Sequence, residues 1–369
     1  MKLAYLANVR FPSERAHAAQ IAHMCQAFAE IGNEVTLYTN ARGEGTLHSV
    51  AETFSIKPKF TLKMLPPGKL YGETKLGFLV RELLFGFSFW WRYRTAPQNI
   101  IYSRDEWLLY LLSFLLPRES CVYESHEAKY NRAVRRLVRR GVPMVVISEG
   151  IRDYYLSQGV PSEKLLVAHD AIDDSFLEPP ISQAAARDTL GLPHDAYIAM
   201  YIGGFDAWKG VETFFKAAAL LPEVLFVAIG GKPEEVEKYA VQYPQVRFLG
   251  ARPYRELRCH QQAANVLVIP NTAASKLSAK YTSPLKLFAH MASGVPIVAS
   301  DIPSVRNVVA DGVTFFTPDD EQQLAKALRV VKSEYQRAAE QALQLQVQSR
   351  THTWLQRAQV VTSYIENQK

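Results

Sequence analysis

Short apolar runs alternate with helix-patterned segments along this chain, and the alternation runs through two successive halves. A parallel sheet with crossover helices is the architecture that such alternation demands. The first half opens with KLAYLANV, a strand pattern. Residues 16–31 follow, with Ala18, Ile21, Ala22, Met24, Cys25, Phe28 and Ala29 at helical spacing. Gly32 and Asn33 then break the helix before a second strand, EVTLYT. Further strands are expected over residues 99–103, 121–123 and 144–147, with a helix opening at Ser148. In the second half, strands are expected over 198–202, 224–229, 246–249, 266–269 and 296–299. Helices are expected over 210–221, 233–242, 254–264 and 285–292.

The 369 residues exceed the roughly 250 to 300 at which a single core stops growing, so two domains are expected. Glu178-Pro179-Pro180 suits a linker. The expected division is 1–178 and 179–350, with 351–369 as a final helix returning to the first domain. The fold class is therefore α/β: two Rossmann-like, doubly wound domains facing each other across a cleft, with ligands held by loops that follow strands.

Apolar residues make up 48% of the chain and charged residues 21%, which excludes a disordered or fibrous protein. Cys25, Cys121 and Cys259 lie far apart and match neither a disulfide framework nor a zinc site. The N-terminus reads as a first strand and not as a signal peptide, so a cytoplasmic location is expected. Residues 76–91 and 107–117 are unusually apolar, yet neither supplies the roughly 20 residues that span a bilayer. A net charge of +6 favours anionic partners without choosing between a phosphorylated donor, an anionic membrane and nucleic acid.

Two segments have the composition of a phosphate site. In KYTSPLKLFAHMASGVPIVASDIPSVRNVV, Ser283 is expected as the N-cap and Pro284 as the first helical residue. The free N–H groups of that helix end would attract phosphate, and Lys286 would add a charge. The alternative is a plain capped helix packing Leu287, Phe288 and Met291. In YIGGFDAWKGVETFFKAA, Gly203 and Gly204 follow a strand, and Lys209 precedes a helix. A glycine pair there is also what a tight turn needs.

The combination of YIGGFDAWKG, FLGARPYREL, NVLVIPN, YTSPLKLFAHMASGVPIVASDIPSVRNVV and DGVTFFTPDDEQQLAKAL resembles the donor-binding domain of the retaining glycosyltransferases of family four, of GT-B fold. In the first half, FPSERAHAAQIAHMCQAFAEIGNEVTLYT, YESHEAKYNR and VISEGIRDYYLSQGVPSEKLLVAHDAID resemble the same family. The resemblance implies a metal-independent transfer, without cofactor, from a UDP- or GDP-linked sugar to an acceptor hydroxyl. The acceptor class would be a glycan, glycolipid or lipid-linked molecule, and no nucleic-acid partner is implied.

By the same resemblance, Lys209 and the backbone near Leu285 and Lys286 contact the donor diphosphate. Arg252 and Tyr254 fall in the loop that holds the nucleobase. The family often has an arginine where this chain has Gly204, so one cationic contact is missing. It also places a pair of glutamates where this chain has Tyr281 and Ala289. Loss of the second removes a ribose contact worth about 1.5 to 3 kcal/mol, roughly 10- to 150-fold in affinity. His290 is a candidate for compensation.

In the first half, His126 resembles the family's histidine near the transferring sugar, with Glu124 and Glu127 expected to orient it or raise its pKa. The loop 8–17 would form a wall of the acceptor site, with Arg10 and Arg15 facing an acidic or phosphorylated acceptor. The run KYNRAVRRLVRRG carries Lys129, Arg132, Arg135, Arg136, Arg139 and Arg140 between apolar residues. It reads either as a peripheral membrane contact over residues 129–140 or as a solvated helix packed on the core. Two other functions stay open: a nucleotide-sugar-binding protein disabled at Ala289, and a dinucleotide-dependent oxidoreductase. The lack of G-x-G-x-x-G after the first strand counts against the second.

Overall fold

The computed structural model describes residues 1–13, 16–41, 45–67 and 74–368. The chain forms two compact units, Met1–Asp170 with Trp354–Lys369, and Ala171–Thr353. The first crossing precedes the expected boundary at residue 178. Ile172 bridges Thr353 and donates its N–H to the His352 carbonyl at 2.9 Å, and Phe176 is buried in the second unit's core. These contacts tie the segment to the second unit, while Pro179 and Pro180 lie exposed within it.

In the first unit, β1 (Lys2–Ala7), β2 (Glu34–Asn40), β3 (Thr61–Leu65), β4 (Ile100–Ser103), β5 (Cys121–Ser125), β6 (Met144–Val146) and β7 (Leu165–Val167) form one sheet. All its pairings are parallel, in the order β3-β2-β1-β4-β5-β6-β7. The winding reverses between β1 and β4, where Leu3 lies opposite Ile100. A crevice is expected at the carboxyl ends of two such strands.

The second unit carries β8 (Ile198–Ile202), β9 (Leu225–Ile229), β10 (Val246–Gly250), β11 (Val266–Ile269), β12 (Ile297–Ser300) and β13 (Thr314–Phe316). Their order is β10-β9-β8-β11-β12-β13, again parallel, with the reversal between β8 and β11. Strand β8 is buried throughout because each face meets a different core. Ala199 and Tyr201 pack with Phe214 and Phe226, whereas Ile198, Met200 and Ile202 pack with Leu190 and Leu267. Among the described residues, no helix is long and apolar enough to cross a membrane.

Candidate functional site

The second unit's switch point is occupied by the glycine turn after β8. Gly203 has φ 153°, and a Cβ there would lie 3.0 Å from the Tyr201 hydroxyl and 3.4 Å from Lys286 Nζ. At Gly204 a Cβ would meet Lys209 Nζ at 2.8 Å. The arginine that the family resemblance leads one to expect at 204 would therefore compete with Lys209 for one space. Gly210, at φ 65°, closes the loop against the chain leaving β11: a Cβ would lie 2.1 Å from the Pro270 carbonyl. Backbone packing of this kind excludes any other residue.

Two lysines converge on this turn with one carboxylate for both. Lys209 Nζ pairs with Asp206 at 2.8 Å and lies 5.2 Å from the centre of the Trp208 ring. Lys286 Nζ sits 4.6 Å over the Tyr201 ring and donates to its hydroxyl at 3.4 Å. Burial and then the charge of Lys209 push the Lys286 ammonium down from 10.5 to about 7, with Asp206 opposing. The spot has an excess of positive charge that an anion would relieve.

The helix expected to start at Pro284 starts one residue later, over Leu285–Ser293, with Pro284 as its cap. Pro284 has φ −79° and ψ 87°, and the Leu285 N–H donates to the Ser283 carbonyl at 2.9 Å. That is an inverse γ-turn. It replaces the expected Ser283 cap and commits the Leu285 N–H within the chain, leaving the anion-facing role to Lys286. Gly294, at φ 68°, ends the helix.

Ala289 is 8% exposed and packs with Phe176, Leu287 and Phe288, so an apolar contact stands where the resemblance calls for a carboxylate. His290 is buried beside it, with Nδ1 3.2 Å from Gln261 Nε2. Burial, then Lys286, pushes its pKa down to about 3, so the ring is neutral. Arg252 is exposed after β10, and the side chain of Tyr254 lies outside the described residues.

In the first unit, His126 follows β5 and bonds through Nε2 to Glu124 Oε1 at 2.7 Å. The same oxygen accepts from Gln20 at 2.7 Å and from Arg357 Nη2 at 2.9 Å. Burial would raise the Glu124 carboxyl, but Arg357, His126 and Arg104 hold it well below the usual carboxylate range. An ionised acceptor puts the proton on Nε2 and leaves Nδ1 as the acceptor atom. The His126 pKa is lowered, not raised: burial and Arg104 outweigh Glu124. Glu127 does not orient the ring either. Its carboxylate is turned to Lys129 at 2.9 Å.

Ligand atoms of Glu124, His126 and Asp170 lie within 4.8 Å of one another, the grouping among the described residues with metal-site spacing. Arg357 already supplies a cation to this cluster, and its charge also acts on Asp170. A second cation would be repelled.

A cavity of about 510 Å³ opens at the carboxyl ends of β1 and β4, lined by Asn8, His17, Arg104, Asp105, Trp107 and Lys129 among others. Arg10 is exposed and does not line it, and Arg15 lies outside the described residues. Arg104 and Lys129 are the cations there, beside the carboxylates of Asp105 and Glu106. The run of residues 129–140 forms a helix over Arg132–Arg139 whose Ala133, Val134 and Leu137 are buried. Its apolar face packs into the unit and is not available to a membrane.

Residues 196–333 match the family model of glycosyl transferases, group 1. That span contains the glycine turn, Lys209, Lys286 and Ala289. Curated relatives include the D-inositol 3-phosphate glycosyltransferases of Streptomyces avermitilis, 30% identical over 46% of this chain, and Mycobacterium leprae, 29% identical over 41%. The matches span 38% and 36% of those relatives' own lengths. Among solved structures, the sucrose-phosphate synthase of Thermosynechococcus elongatus superposes with a TM-score of 0.79 at 18% identity, over 99% of this chain and 98% of its own. Anabaena HepE in complex with UDP-glucose gives 0.73 at 18% identity over the whole of both chains. The fold is that of the GT-B glycosyltransferases.

Proposed function

We propose that this protein transfers a sugar from a UDP- or GDP-linked donor to an acceptor hydroxyl, with retention at the anomeric carbon and without a metal or cofactor. The observation that carries the proposal is the convergence of Lys209 and Lys286 on the Gly203–Gly204 turn, with Asp206 the carboxylate they share. A diphosphate fits that spot: it supplies the missing negative charge, and the glycines let it approach the backbone. As the sugar leaves, charge grows on the diphosphate, and preorganised cations there lower the barrier. The match of residues 196–333 to glycosyl transferases, group 1, and the likeness to HepE, crystallised with UDP-glucose, support the same chemistry.

In the first unit, the cavity beyond β1 and β4 is the proposed acceptor site, taking a glycan, glycolipid or lipid-linked acceptor. His126, oriented by Glu124, is the proposed polar contact to the transferring sugar. Ala289 favours a second reading, a chain that binds its donor weakly or no longer turns over.

Thermal unfolding with UDP, GDP and NAD tests the donor assignment, since a ligand of the folded state raises the midpoint by mass action. UDP or GDP is expected to stabilise the wild type and to lose its effect in Lys209→Ala. Stabilisation by NAD alone would revive the oxidoreductase. Transfer that disappears in chelator would remove the metal-independent part.

A further inference from the structure

The helix Lys75–Thr95 carries an apolar face that the described residues leave exposed, with Leu65 and Pro66 lining a cavity beside its Phe87 and Trp91. Leu79, Leu83, Leu84, Phe87 and Trp91 fall on one side of it at helical spacing, and each is 37% to 59% exposed. The opposite side is satisfied by burial of Phe85 and Phe89. Five large apolar side chains exposed on one face of a helix are far beyond the scattered exposure normal for a surface.

Positive charge surrounds this face. Its only carboxylate, Glu82, is buried and accepts from Asn8. At the C-terminal end the Arg94 guanidinium lies 5.2 Å from the Trp90 ring and 5.8 Å from the Trp91 ring. The neighbouring helix Glu106–Leu112 leads into Phe114 and Leu115, which are also half exposed. There the basic helix Arg132–Arg139 joins the patch: Arg136 packs 3.5 Å over the Phe114 ring and donates to Ser113 at 2.7 Å. Arg132, Arg135 and Arg139 stay exposed, and that helix has no acidic residue.

We infer that this face docks on an anionic lipid bilayer, with the helix Lys75–Thr95 lying in the plane of the interface. Leucine, phenylalanine and tryptophan enter the boundary between headgroups and acyl chains, and the arginines meet lipid phosphates. Charge complementarity selects this occupant, because an apolar strip on a helix whose one carboxylate is buried, flanked by the exposed Arg94, Arg132, Arg135 and Arg139, is what an anionic leaflet attracts. The basic helix alone does not supply the contact, since its own apolar face is buried. The inference rests on none of the donor-site assignments.

Sedimentation of the full chain with vesicles of phosphatidylcholine, with and without phosphatidylglycerol, tests it. The wild type is expected to bind the mixed vesicles and to be released by salt. Phe87→Glu with Trp91→Glu, and separately Arg135→Glu with Arg139→Glu, are each expected to weaken binding by about tenfold or more at an unchanged unfolding midpoint. Trp91→Phe should still bind while losing most of the fluorescence quenching by brominated lipid. No binding to mixed vesicles by the wild type, or wild-type binding by both double variants, would overturn the inference. So would wild-type self-association abolished by Phe87→Glu, which would make a second copy the partner.

Discussion

Arg357 on the last helix donates to Glu124 at the end of β5 at 2.9 Å, and both side chains are almost completely buried. Arg357 also donates to the carbonyl of His169 at 2.8 Å. The guanidinium thereby holds ionised the carboxylate that orients His126. Removing one partner of a buried pair leaves an uncompensated charge, so Arg357→Met should destabilise the protein by about 3 to 5 kcal/mol in urea unfolding.

The same pair sets an acid dependence. Glu124 is held below its ordinary value of 4.5, so its contribution is complete above that pH in the wild type and declines as pH falls toward its folded value. Stability measured from pH 7 down to pH 3 should fall less steeply in Glu124→Gln than in the wild type.

His126 should be more than half neutral at pH 6.5, because burial and Arg104 lower its pKa. A carbon-labelled histidine titration, assigned with His126→Ala, should place its midpoint below 6.5. If the ring contacts the transferring sugar as proposed, His126→Ala should reduce turnover by about 100-fold.

Lys286, at about 7 in the folded protein against an ordinary 10.5, predicts a proton linkage with a definite sign. Between those values the unfolded chain binds more protons, so stability of the free protein should rise with pH from about 7 toward 10.5. A bound diphosphate favours the charged lysine, so UDP should bind tighter as pH falls from 8.5 to about 6.5, with proton uptake. Titration calorimetry in two buffers of different ionisation enthalpy should detect the uptake, and Lys286→Met should abolish it.

Ala289→Glu should gain donor affinity by about 10- to 150-fold if a single missing ribose contact limits binding. The surrounding Phe176, Leu287 and Phe288 make the new carboxylate costly, so the unfolding midpoint should drop. Calorimetry with UDP and thermal unfolding read the two effects separately.

Much of the fold was legible because strands such as β8, IAMYI, are buried on both faces and read as continuous apolar runs. The edge strands β3 and β13 were not. Strand β3, TLKML, has only Leu65 buried, and β13, TFF, only Phe316, so neither stands out as a core segment. In the candidate site, Gly203, Gly204, Lys209 and Lys286 stand out from residue type and position after a strand or at a helix start, and the fold brings them together. Arg104 in the β1–β4 cavity was missed, since a lone arginine after a strand carries no local signal.

By itself, the sequence determined the alternation of strands and helices, the two-unit plan and the phosphate-suited segments, because these depend on local periodicity and turn chemistry. Tertiary structure alone decided the electrostatics. Glu124 and Arg357 are 233 residues apart, and Lys209 meets Lys286 only because the winding of the sheet brings the loop after β8 to the helix before β12. It also decided that Pro284 caps its helix through a γ-turn, and that the basic helix buries its apolar face while the helix Lys75–Thr95 exposes its own. Burial and charge proximity are properties of the packed chain, and no window of sequence contains them.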